Sequence, residues 1–130
     1  MKSKYYNKKV KYDGMVFDSV AEMRRYQELK LLERAGEIRE LRTQVRYTLI
    51  PAQYEAYPRY GKNGSRLKDG RRLVEKEVSY IADFTYWDTK TMQEVVEDVK
   101  SEITRKKESY IIKRKLMMYI HGVKIREVVR

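Results

Sequence analysis

Cysteine is absent from this chain of 130 residues, and histidine occurs once, at His121. The first absence excludes disulfides, thiolate metal sites and cysteine nucleophiles. With one histidine, neither a histidine-based catalytic triad nor a multi-histidine zinc site is expected. Nowhere do about 18 apolar residues follow one another, so no membrane-spanning helix is expected, and the Lys-rich start lacks a signal-peptide core. Acidic residues are the minority charge, 19 against 30 Lys and Arg, for a formal net charge of +11. The length allows one domain over residues 1–130, and 42% hydrophobic residues suffice for one modest core. The expectation is a soluble, basic, single-domain protein.

A pI of about 9.7 points to polyanions, because clustered Lys and Arg neutralise phosphates and release counterions. Twelve tyrosines are also present, many beside basic residues. Aromatic faces interleaved with cations suit bases and backbone together, which favours nucleic acid as the partner over a merely solvated surface.

Along the chain, residues 1–8 form a basic arm. Asp13-Gly14 supplies a hairpin turn between Lys9–Tyr12 and Met15–Phe17. Ser19 then caps a helix, with Glu22 at the third position of a capping box and Gly36 just past its end near Ala35. Leu41–Ile50 reads as a strand. In residues 55–76, Pro58, Gly61, Gly64 and Gly70 interrupt any period, among seven basic residues including Arg66, Lys68, Arg71 and Arg72. That segment is expected to be a long basic loop or flexible hairpin that contacts nucleic acid. Val78–Trp87 and Glu94–Lys100 follow as paired strands, then a helix over Arg105–Ile120 stopped by Gly122, and a last strand over Val123–Val129. The order after the opening hairpin is α-β-β-β-α-β, an α+β domain around one mixed sheet.

In so basic a chain, acids at apolar strand positions are the informative exceptions. Asp83 lies inside the apolar run 79–86, and Glu97-Asp98-Val99-Lys100 closes the next strand. A symmetric register across the connecting loop pairs residues whose numbers sum to 181, which sets Asp83 opposite Asp98. Like charges so placed destabilise a sheet unless one is protonated or a cation lies between them. Such an oxygen-rich site suits Mg²⁺ or Mn²⁺. Period-two alternation puts Lys100 beside Asp98 and turns Glu97 to the opposite face. There Lys100 can hold an attacking water or offset charge developing on phosphorus. Ser19 capping accounts for Glu22 by itself, yet its place beside the apolar stripe of Leu29 makes it a candidate third carboxylate. On the second helix Lys113 shares the apolar face, where it either snorkels or meets a phosphate. Lys106 belongs to a solvated basic face suited to the nucleic-acid backbone.

Glu22 on a helix, Asp83 in one strand and Asp98-Val99-Lys100 in the next resemble the PD-(D/E)xK nuclease superfamily, whose core has the same α-β-β-β-α-β order. Val16–Ser19, Glu22–Leu29, Gly36–Ile38, Tyr80–Phe84 and Val96–Lys100 are similar to a family of short phage-encoded proteins described as nucleases or Holliday junction resolvases. The likeness covers about residues 9–129 and departs at Ala82, where proline is usual. It implies a restriction-endonuclease-like fold, with metal bound by Asp83, Asp98, the Val99 carbonyl and Glu22, and with Lys100 catalytic. Gln44 or Lys113 would supply auxiliary contacts. It further implies a homodimeric, Mg²⁺-dependent endonuclease that cuts branched or duplex DNA in phage recombination, within the bacterial cytoplasm if the chain is phage-encoded. The competing reading is a non-catalytic nucleic-acid-binding module in which these acids are structural.

Overall fold

The computed structural model describes residues 8–130, so the basic arm falls outside the described residues except for Lys8. A hairpin opens the fold, β1 (Val10–Tyr12) against β2 (Met15–Phe17). Its turn residues Asp13 and Gly14 have φ of 53° and 75°, the left-handed pair that matches strand twist in a two-residue turn.

Helix α1 (Val20–Arg34) follows, with the Ser19 side chain accepting from the Glu22 amide at 3.1 Å. A four-stranded mixed sheet forms the body. It contains β3 (Ile38–Ile50), β6 (Val78–Asp88), β7 (Gln93–Lys100) and β8 (Arg126–Val129), side by side in that order. The β3, β6 and β7 neighbours run antiparallel, whereas β8 runs parallel to β7. That parallel return requires a crossover, which a 3-10 turn (Thr104–Lys106) and α2 (Glu108–Leu116) provide.

Of the two expectations for residues 55–76, a loop or a hairpin, the structure has the hairpin. These residues lie mostly within an antiparallel hairpin, β4 (Gln53–Tyr60) with β5 (Arg66–Glu75), which forms a sheet of its own and shifts register between Gln53 and Tyr54 and between Tyr57 and Arg59. Gly70 does not break the ladder, because the Tyr57 ring from the partner strand occupies the space where a Cβ would sit. The second helix is also less regular than its apolar spacing predicts. It becomes α-helical only at Glu108 and ends in a π turn, Met117–His121, closed by left-handed Gly122. The last strand starts at Arg126 rather than Val123.

Two apolar clusters flank the sheet. Leu49, Tyr80, Ala82, Val96, Tyr110, Met117 and Ile125 form the one that includes α2. Phe17, Tyr26, Leu29, Ile38, Phe84 and Tyr86 form the one beneath α1. β6 therefore gives residues 80 and 82 to one cluster and 84 and 86 to the other, although a regular strand would keep all four on one side. The change falls at Asp83. Opposite it, between the pairs Thr43–Phe84 and Val45–Ala82, Gln44 has φ of 53°. A left-handed non-glycine residue inside a strand is strained backbone, and here it marks the site.

Candidate active site

The β6–β7 ladder pairs Phe84 with Glu97, Thr85 with Val96 and Tyr86 with Val95, the register that the symmetric loop predicts. Pairing stops at Phe84–Glu97, one step short of Asp83 and Asp98. Where the strands part, a side chain replaces the ladder: Asp83 Oδ2 accepts from the Val99 amide at 2.8 Å. Lys100 gives its carbonyl to the Arg130 amide at 3.0 Å on the β8 side. Strand groups alternate in direction, so Val99 turns both its amide and its carbonyl toward Asp83.

Asp98 is fully buried. Its Oδ2 accepts from the Tyr80 hydroxyl at 2.8 Å and pairs with Lys100 Nζ at 3.1 Å. Its Oδ1 is buried without any hydrogen-bond partner. Lys100 also lies over the Tyr110 ring, 5.0 Å from the centroid. Glu22, 4% exposed, does not complete the capping box with its side chain; Oε1 accepts from Gln44 Nε2 at 2.7 Å. The strained conformation of Gln44 thus serves a contact to a candidate site residue.

Electrostatics follow from that crowding. Burial, the hydrogen bond to Asp98 and the Asp98 and Glu22 charges push the Asp83 carboxyl up to about 9. Burial, the charges of Asp18 and then Asp98 push Glu22 up to about 7. A proton on Asp83 would supply the donor that Asp98 Oδ1 lacks. The folded protein holds this proton where the unfolded chain has lost it above the ordinary value of about 4. The resulting stabilisation is complete below that value and declines as pH rises toward 9. In EDTA, the melting temperature is therefore expected to fall between pH 6 and pH 9, with a shallower fall in Asp83→Asn. Equal slopes in the two proteins would contradict a proton held on Asp83.

A cleft of about 350 Å³ opens over these groups. Glu22, Asp83, Val99 and Lys100 line it, with Lys8 and Arg130 among its cationic lining and the hydroxyls of Ser101 and Thr104 beside them. Asp98 lies behind that lining. Among the described residues no three acidic or histidine side chains gather as a ready metal cage. The donors that fit a hard divalent cation are Asp83, the unpartnered Asp98 Oδ1 and the Val99 carbonyl, all oxygens, with Glu22 held nearby by Gln44.

Glu97 takes the opposite face, as alternation predicts, and is fully buried there. Arg25 Nε and Nη2 grip its two carboxylate oxygens at 2.7 and 2.8 Å, and Tyr86 donates to it at 2.7 Å. Arg25 stands one helical turn after Glu22, so this clamp fixes the part of α1 that carries Glu22 against β7. Lys106 is exposed in the 3-10 turn and Lys113 is half-buried on α2, and neither lines the cleft. Arg66, Lys68, Arg71 and Arg72 are exposed on β5. Tyr80, Arg25 and Arg130 are not site residues in the sequence reading, and Lys8 enters it only as part of the basic arm. Tyr80 reaches Asp98 only because β6 changes face at Asp83, which no period-two reading anticipates.

Residues 2–130 match the family described as "Protein of unknown function (DUF1064)". None of the curated proteins and none of the solved structures matches the chain. Among the described residues no helix is long and apolar enough to cross a membrane.

Proposed function

The chain belongs to this family of unknown function, and we propose that it is a metal-dependent endonuclease hydrolysing phosphodiester bonds in DNA. The observation that carries the reading is the parting of β6 and β7 at two neighbouring carboxylates, Asp98 buried and Asp83 half-buried, with Lys100 beside them, on a cleft in a protein of net charge +11. Buried like charges cost stability, and a site that keeps them is organised for something other than the fold. The resemblance of Glu22, Asp83 and Asp98-Val99-Lys100 to PD-(D/E)xK nucleases supports the same chemistry.

Asp83, Asp98 and the Val99 carbonyl would hold Mg²⁺ or Mn²⁺. Such an ion supplies the Lewis acidity and charge neutralisation that phosphodiester hydrolysis needs at neutral pH. Lys100, released from Asp98 Oδ2 once that oxygen has another partner, orients the attacking water with its ammonium. Glu22 accepts a proton near neutrality, as its raised affinity suits. Lys8 and Arg130 bind flanking phosphates at the rim. Branched DNA is the preferred substrate by family likeness, and paired cuts in a junction would require a symmetric dimer.

One observation favours the second reading, a non-catalytic binding module. Tyr80 and Lys100 satisfy Asp98 Oδ2 without any ion, as a structural acid would be satisfied. Labelled four-way junction, flap, single-stranded and linear duplex DNA, each incubated with Mg²⁺ or Mn²⁺, separate the two. Metal-dependent paired cuts in the junction are expected. Binding of all four substrates with no cutting would favour the module.

A further inference from the structure

We propose that the β4–β5 hairpin is a DNA-reading ribbon that lies in the major groove of a duplex bound at the cleft. This rests on DNA as the substrate in the reading above. The hairpin leaves the body at the shared end of β3 and β6, where Ile50 pairs with Val78. Asp83 lies five residues from that root, roughly 16 Å along an extended strand. The strands themselves continue for about 30 Å beyond it at the same rise. Cleft and ribbon can therefore touch one duplex.

The ribbon is uncovered on both faces. Among its strand residues only Tyr57 and Gly70 are half-buried, and they bury each other across the ladder. An isolated two-stranded ribbon is marginally stable in water, so this one persists by its own side-chain pairs and invites a partner. Those pairs are Arg-on-Tyr stacks. Arg71 lies 4.3 Å from the Tyr54 ring centroid, Arg72 lies 4.5 Å from Tyr57, and Arg66 lies 5.7 Å from Tyr60. Arg71 and Arg72 are consecutive in β5, so they project from opposite faces. A guanidinium held over a ring is placed for its N–H groups to engage phosphate or guanine O6 and N7.

Arg66 and Arg72 have acidic partners, Asp69 at 2.6 Å and Glu55 at 3.4 Å, and Arg71 has none among the described residues. Exposed pairs of that kind are weak and exchange readily for phosphate. The tip is preformed, with Asn63 Oδ1 accepting from the amide and hydroxyl of Ser65. Seven basic residues against three acids in segment 55–76 favour a polyanion over a second copy of this basic chain. The major groove, about 12 Å wide, admits a two-stranded ribbon.

The test is binding of a fluorescent duplex in EDTA, where no cutting occurs, by wild type and by Arg66→Gln/Arg71→Gln/Arg72→Gln. The ribbon contributes to neither apolar cluster, so the melting temperature of the body is expected to hold, and far-ultraviolet circular dichroism checks that the ribbon keeps its strands without the stacks. The variant is expected to bind at least about tenfold more weakly, with a salt dependence shallower by up to about 0.9 per lost phosphate contact. Filling the major groove with glucosylated hydroxymethylcytosine should weaken wild-type binding and leave the variant's residual binding unchanged. Distamycin in the minor groove should affect neither. Equal binding by wild type and variant would overturn the proposal. So would equal losses on single strands, or conversion of a dimer to a monomer by the substitutions. A ribbon that binds as expected in a protein that never cuts DNA would overturn the nuclease reading and leave this one standing.

Discussion

Asp83→Asn is expected to abolish cleavage while leaving the fold intact or firmer. The asparagine oxygen can still accept from the Val99 amide, which Asp83 now binds at 2.8 Å. Its NH2 can donate to Asp98 Oδ1, the buried atom without a partner. The substitution therefore replaces a titratable proton with a permanent donor and prevents the second charge that forms as pH rises toward 9. Stability in EDTA above pH 7 should rise. Cleavage should fall by roughly 10²–10³-fold or more, the scale on which transition-state charge stabilisation is lost. Binding to duplex DNA in EDTA should persist. The opposed movement of stability and activity is what separates a site from a scaffold, since functional groups are commonly held at a cost to the fold. Thermal melts beside single-turnover cleavage decide it. An Asp83→Asn protein that cuts at the wild-type rate would remove Asp83 from the mechanism.

Arg25→Met should produce the largest loss of stability. Arg25 has a side chain 13% exposed, and its Glu97 partner is wholly buried. The pairing draws the Arg25 proton affinity up, chiefly through the hydrogen bonds with Glu97. Without the guanidinium, Glu97 keeps only the Tyr86 hydroxyl as a strong donor. Breaking one side of such a pair costs about 3–5 kcal/mol. For a domain of this size that corresponds to a melting point roughly 10–20 °C lower. Arg25→Met/Glu97→Leu should recover most of the loss, because a buried pair replaced by apolar groups of similar size is close to neutral. A double variant no better than the single one would mean that Arg25 acts through Glu28, with which it also pairs at 3.0 Å. Since the clamp fixes α1 beside β7, residual activity in the recovered double variant would also report how far Glu22 depends on it.

Local chemistry in the sequence determined a large part of this protein. Asp13-Gly14 fixed the opening hairpin, Ser19 fixed the start of α1, and Gly36 and Gly122 closed the two helical segments, because turns and caps depend on a few adjacent residues. The symmetric loop between β6 and β7 set their register, and alternation then separated Glu97 from Asp98. The same local chemistry leaves segment 55–76 open between a loop and a hairpin, and the structure decides for the hairpin. Glycine and proline count as breakers locally, and only the Tyr57 ring across the ladder makes Gly70 acceptable in a strand.

Tertiary structure decided the rest. Gln44 adopts a left-handed conformation opposite Asp83 and gives its side chain to Glu22, 22 residues away. Tyr80 joins Asp98 because β6 changes face at Asp83, and Arg25 finds Glu97 across 72 residues of chain. These contacts join positions far apart in sequence. Residue order fixes turns, caps and alternation, whereas the partner of a buried charge is chosen by packing, once every other buried group has taken its place.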